Sequence, residues 1–285
     1  MTKQVNTIAI AGAGTMGAGI AQVTAQNGYK TLMFDISNDM LLKAEAGLVK
    51  SMQTLVDKGK ITQESANQTL ANITYTSSIA DLKCDLLIEA IVERLDVKQQ
   101  FFKEVAAINA PDTILASNTS SIPITQIAAK ISNPERFVGI HFFNPAPIMK
   151  LVEIISGVDT KPEVATFCKQ LIESMGKTCV MAADAPGFIV NRVARHYYVE
   201  GLKIAEERVA DFKAIDALME SSGFKMGPFK LMDLIGVDTN FSVTSSIYQL
   251  FHQDGKFRPS RIQQQKVDAG HHGRKTGKGF YTYEK

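Results

Sequence analysis

The first third of the chain alternates two kinds of hydrophobic spacing. The short run "VNTIAIAG" is β-branched and apolar, and after it apolar residues recur three or four apart from Thr15 to Asn27. A strand followed by a helix explains that change of period. The exchange repeats: "KTLMFD" precedes a long helical pattern beginning near Asp39, and "LLIEAIVE" precedes another from Asp96 to about Ala110. "TILASN" then leads to a helix near Ile124 to Ile131, "RFVGIHFF" follows, and "KTCVMAAD" forms a last strand after Gly176. Strands separated by helices in this rhythm predict a parallel sheet with helices on both faces.

At "DAPGFIVNRV" the pattern changes, because Pro186 and Gly187 punctuate the chain and everything beyond reads helical. The expected organisation is an α/β domain over residues 1–184 and an all-α domain over 185–285. Ile189 to about Ala210 keeps helical spacing, and "SRIQ" at Ser260 to Gln263 reads as a capping box opening a later helix.

Composition narrows the possibilities. With 45% hydrophobic and 21% charged residues among 285, the chain can bury a core of ordinary globular proportions. A net charge of +2 gives no global field for nucleic acid or an anionic membrane surface, so neither is expected as a partner. Three cysteines, Cys84, Cys168 and Cys179, fit neither a disulfide framework nor a zinc-ligand spacing. They read as thiols in a reducing compartment, and no metal is expected; the adjacent His271 and His272 lack the spacing of a helical zinc pair. Glycines from Gly12 to Gly19 break the apolar run that a signal peptide requires, and no apolar stretch reaches membrane-spanning length. A cytoplasmic location is the expectation.

Chemistry enters at the first turn. Gly12, Gly14 and Gly17 form G-x-G-x-x-G between strand and helix: the first permits a tight turn, the second close approach to a pyrophosphate, the third close helix packing. Asp35 ends the next strand 18 residues beyond Gly17, placed to accept from ribose hydroxyls. With no Lys or Arg adjoining it, NAD is favoured over NADP.

A second site is predicted within "FVGIHFFNPAPIMKLVEII", where two strand-like runs flank a proline-containing break. His141 and Glu153 each lie six positions from Pro147. An antiparallel hairpin pivoting there places them opposite each other, within reach of an imidazole–carboxylate pair.

With "GAGTMGAGIAQ", "EAIVE", "SNTSS", "HFFNPAPIMKLVEII", "PGFIVNR" and "GRKTGKGFY" in this order, the chain resembles the L-3-hydroxyacyl-CoA dehydrogenase family from about residue 5 to residue 283. The resemblance implies a Rossmann-type NAD-binding domain followed by a helical substrate domain that dimerises, and oxidation of the 3-hydroxyl of an acyl-CoA thioester. It makes His141 the base and Glu153 its partner. Ser120 is implied to contact both substrate and coenzyme, and Asn191 to hydrogen-bond the substrate. Asn144, Glu93, Lys98 and Lys275 match coenzyme-binding positions. Ser51 and Lys58, seven residues apart on one helix face, match contacts to coenzyme A, and a lysine suits its phosphates.

The chain departs from the family pattern at Ala185, in "RHYYVEGLKIAEE" and in "FK" before Met226, which bear on substrate preference and second-domain packing. "FHQDGKFRPSRIQQQK" is similar to relatives acting on 3-hydroxyadipyl-CoA, which makes Arg258 and Arg261 candidates for a distal carboxylate. The rivals are a dehydrogenase of free 3-hydroxy acids and a catalytically silent NAD-binding protein. Retention of both His141 and Glu153 argues against the second.

Overall fold

The computed structural model describes residues 4–284. β1 (Thr7–Ala11) lies inside an eight-stranded sheet, buried on both faces, which is why its sequence is a continuous apolar run. α1 (Thr15–Gln26) returns the chain to β2 (Lys30–Phe34), and α2 (Asn38–Asp57) with α3 (Gln63–Ala71) leads to β3 (Ile73–Thr76) at the sheet edge. The chain then crosses β1 to form β4 (Leu86–Glu89), followed by α4 (Leu95–Ile108), β5 (Ile114–Ser117), α5 (Ile124–Ala128) and β6 (Phe137–Phe142). β7 (Leu151–Ser156), α6 (Pro162–Ser174) and β8 (Thr178–Ala183) complete this unit, which ends at Ala185.

The strand order is β3-β2-β1-β4-β5-β6-β7-β8. The first six are parallel; β7 runs antiparallel to β6, and β8 runs parallel to β7. Strand order reverses at β1 and β4, so their carboxyl ends open the crevice where such sheets bind ligands.

Three elements lie outside the sequence expectations. β3 is a four-residue edge strand with a single buried position, too short for a period to register. α3 is polar almost throughout and begins because Thr62 accepts from the Ser65 N–H at 3.1 Å. α6 does carry an apolar stripe, Val164, Cys168 and Ile172, four residues apart and buried against the sheet.

A second unit begins at Pro186. It contains α7 (Val190–Glu206), α8 (Phe212–Ser221), α9 (Pro228–Ile235), α10 (Val237–Leu250) and α11 (Arg261–Asp268) around Tyr198, Leu202, Phe229, Met232 and Phe280. Two buried carboxylates organise it. Asp216 accepts from the Phe229 and Lys230 N–H groups at 2.9 and 3.0 Å, capping α9, and from the Tyr281 hydroxyl at 2.7 Å. Asp233 accepts from the Phe280 and Tyr281 N–H groups and the Tyr283 hydroxyl, each at 2.9 Å. The expected capping box is only half formed. Ser260 does cap α11 through Ile262 N–H at 3.1 Å, but Gln263 is buried and donates to Asn240 at 2.9 Å instead of turning back.

Candidate active site

The glycine turn after β1 has the shape its spacing requires. Gly12 sits at φ +103° against the Ala90 carbonyl, where a Cβ would collide with backbone, and a Cβ on Gly17 would strike the Gly12 carbonyl. Gly14 is the N-cap of α1, faces open space and supplies no capping side chain; the first turn carries no acid. The N–H groups there therefore stand available to an anion at the positive end of the helix. Asp35 ties this turn to β2: one carboxylate oxygen accepts from Ala13 N–H at 2.8 Å, the other from Ser37 N–H at 2.9 Å.

A cavity of about 730 Å³ opens beside the turn, walled by Gly12, Gly14, Asp35, Ile36, Val97 and Phe101. Asp96 and Glu104 also line it, and among the described residues no Lys or Arg does. Apolar walls, a glycine cradle and carboxylates fit the adenosine half of NAD and oppose an added ribose phosphate.

The hairpin ladder pairs His141 directly with Glu153, flanked by Phe142 with Val152 and Ile140 with Ile154. His141 Nδ1 lies 2.8 Å from Glu153 Oε2, with Glu153 fully buried and His141 5% exposed. Against an ionised carboxylate, Nδ1 must carry the proton and donate it, leaving Nε2 of a neutral ring as the acceptor. The Phe143 ring packs 4.5 Å from the imidazole, centroid to centroid. Asn144 begins the turn, just beyond β6.

The "SNTSS" loop reaches the same sheet end from β5. Asn118 Oδ1 accepts from Phe142 N–H at 2.8 Å, so the loop is fastened beside His141. Glu93 Oε1 accepts from the Thr119 hydroxyl, from Ser120 N–H at 3.1 Å and from the Ser121 hydroxyl at 3.3 Å. Lys98, assigned by resemblance to the coenzyme, is 1% exposed, and its ammonium binds Glu89 and Glu93. Burial raises the Glu93 carboxyl, but Lys98 and the loop donors outweigh it and hold it below the usual carboxylate range. Burial pushes Glu89 up despite the same lysine.

The remaining candidates are dispersed. Ser51, on α2, donates to Gln22 Oε1 at 3.0 Å, and Lys58 is the exposed C-cap of that helix. In the second unit Asn191 lies in the first turn of α7, and Lys275 donates to Asp238 at 2.7 Å. Arg258 and Arg261 line a separate hollow of about 550 Å³ in that unit. Sequence reasoning missed Glu89, whose only signal was an acid ending an otherwise apolar strand. It also missed Asp184, whose oxygens accept from Ile124 and Thr125 N–H, each at 2.8 Å.

Residues 7–185 match the family model described as 3-hydroxyacyl-CoA dehydrogenase, NAD binding domain, and residues 187–283 match its C-terminal domain. A protein named 3-hydroxyadipyl-CoA dehydrogenase from Escherichia coli (strain K12) is 48% identical over 285 residues, covering 99% of this chain; the chain spans 60% of that relative's length. A 3-hydroxybutyryl-CoA dehydrogenase from Bradyrhizobium diazoefficiens is 39% identical, with 99% of this chain and 97% of the relative covered. The crystal structure of (S)-3-hydroxybutyryl-CoA dehydrogenase from Ralstonia eutropha superposes with a TM-score of 0.94 at 39% identity, covering 99% of this chain and all of the other.

Proposed function

Because the chain belongs to the 3-hydroxyacyl-CoA dehydrogenase family, we propose that it interconverts L-3-hydroxyacyl-CoA and 3-oxoacyl-CoA with NAD, on short acyl chains such as 3-hydroxybutyryl-CoA. The observation that carries this reading is the His141–Glu153 pair, a buried imidazole oriented by a buried carboxylate. Bound NAD supplies the acceptor for the hydride leaving C3. His141 Nε2 takes the hydroxyl proton, and Glu153 stabilises the imidazolium that results. In the reductive direction the same nitrogen returns the proton.

Gly12, Gly14, Gly17 and Asp35 hold the adenosine and pyrophosphate portions; Glu93, Lys98, Ser120, Asn144 and Lys275 are assigned to the coenzyme. Ser51, Lys58, Ser120 and Asn191 are assigned to the acyl-CoA. The test is NADH absorbance with purified protein and acetoacetyl-CoA: consumption is expected, and its absence with every 3-oxoacyl-CoA tried would remove this reading.

A second substrate reading has specific support. The E. coli relative named for 3-hydroxyadipyl-CoA is 48% identical, and Arg258 and Arg261 supply cations that could meet a distal carboxylate. A kcat/KM for 3-oxoadipyl-CoA above that for acetoacetyl-CoA would select it.

We further read the protein as a cytoplasmic homodimer joined through the second unit. Supporting this are the thiols of Cys168 and Cys179, pushed up to about 12 and about 11 by burial, and exposed apolar side chains at Val193, Leu218, Phe224 and Leu234. Among the described residues, no helix is long and apolar enough to cross a membrane. Sedimentation analysis would test the dimer.

A further inference from the structure

The carboxyl end of β4 holds more charge than strand pairing needs. Glu89 sits in register with Ala11 of β1 and Ser117 of β5, and its side chain is fully buried. Three donors converge on its carboxylate: Lys98 Nζ, Ile91 N–H at 2.7 Å and the Ser117 hydroxyl at 2.7 Å. Its carbonyl accepts from Asn118 N–H at 2.7 Å. The Lys98 ammonium then reaches Glu93 Oε2 at 3.1 Å.

Sequestering the Glu89 carboxylate and the Lys98 ammonium at a strand end is costly, and an apolar residue would complete the β4 ladder at less expense. Buried charge is therefore better explained by what it fixes than by stability. Apart from the Ile91 N–H, the cluster's connections run to the loop 117–121. Glu89 grips Ser117, whose hydroxyl accepts from Thr119 N–H at 3.2 Å; Glu93 grips Thr119, Ser120 and Ser121; Asn118 carries the connection to Phe142, next to His141.

We propose that Glu89 is a positioning residue for the coenzyme end of the site, holding Lys98 so that Glu93 is fixed and, with Ser117, sets the loop that presents Ser120. This rests on the dehydrogenase reading above. Lys98 then serves the coenzyme from inside the protein, as the counter-charge between two carboxylates, and not as a surface contact. The two acids divide the work unequally. Glu93, held in its ionised form by Lys98, draws the three loop donors, while Glu89, raised by burial, anchors the lysine and the strand end.

The test is Glu89→Gln, which keeps the shape and removes the charge. NADH affinity, followed by fluorescence, is expected to weaken about tenfold, with the coenzyme KM rising in step. The KM for the 3-oxoacyl-CoA is expected to rise less, because Ser120 is the one residue of this loop assigned to the substrate, whereas a general loosening of the fold would raise both KM values alike; the thermal midpoint falls, since Lys98 loses a buried partner. Lys98→Met is expected to do less further harm when Glu89→Gln is already present than it does alone, because the two act as one unit. Unchanged NADH affinity, or equal rises in both KM values, would overturn the assignment. If Glu89→Gln does not fold, Glu89→Asp, which keeps the charge but shortens the reach, is measured instead, and wild-type coenzyme affinity in it overturns the proposal equally. Wild-type protein that binds NADH but turns over no 3-oxoacyl-CoA would refute the dehydrogenase reading alone, since the NADH titration of the variants still decides the role of Glu89.

Discussion

His141 and Glu153 show what a single sequence can and cannot disclose about a residue. Their equal distance from Pro147 was enough to place them opposite each other, because a hairpin ladder converts counting into geometry. The glycines of the first turn were legible for a similar reason: their spacing answers to the backbone of the turn itself, although Gly12 also packs against the distant Ala90 carbonyl. Lys98 was not legible. Its burial is decided by Glu89 on one side and Glu93 on the other, and a helical lysine reads the same whether it meets carboxylates or water. The pair's chemistry gives the first prediction. His141→Gln should lower kcat by roughly 10²–10⁴-fold, the usual contribution of a general base, while NADH still binds. Glu153→Gln keeps a hydrogen-bond partner for Nδ1 but loses the charge that stabilises imidazolium, so a smaller fall in kcat is expected. Stopped-flow turnover combined with NADH titration checks both, and near-normal rates in either variant would remove that residue from the base.

At the scale of elements, strands buried on both faces announced themselves and amphipathic helices mostly did. β3 and α3 stayed hidden because an edge strand and a polar helix bury too little to impose a period. The hairpin makes a prediction about packing. Gly139 pairs with Ile155 on the adjacent strand, and a Cβ there would lie 2.9 Å from the Ile155 Cβ and 2.8 Å from the Ile124 Cδ1. Ile124 can adjust its side-chain tip, but the Ile155 Cβ is fixed to a strand paired on both sides. Gly139→Ala should therefore destabilise by about 1–3 kcal/mol, as overpacking does. Because His141 follows two residues along the same face, kcat should fall as well. A melting midpoint and turnover rate both at wild-type values would show that β6 accommodates the methyl group.

For the whole molecule, both units hold groups whose ionisation burial pushes up, and in the second unit these are the C-terminal tyrosines. The sequence located the change from alternating to helical chain near Pro186 but did not reveal that the second unit is organised by buried carboxylates, since Asp216 and Asp233 take donors from a C-terminal segment 47 to 65 residues away. Those carboxylates also set an alkaline limit. Burial, then hydrogen bonding to Asp233, pushes the Tyr283 phenol up to about 12, and burial with Asp216 raises Tyr281 further. In the unfolded chain both ionise near pH 10, so above that pH the unfolded state releases protons that the folded state keeps. Stability must then fall as pH rises, beginning near pH 10 and continuing through about 12. Below that window the two phenols contribute no slope. Tyr283→Phe removes one such group, so thermal melts between about pH 9 and 11 should show a shallower decline than wild type, by up to about one proton. The variant starts from a lower midpoint at neutral pH because the Asp233 hydrogen bond is gone. If the two profiles stay parallel across the window, the alkaline limit lies elsewhere, and the C-terminal tyrosines stabilise the second unit by packing alone.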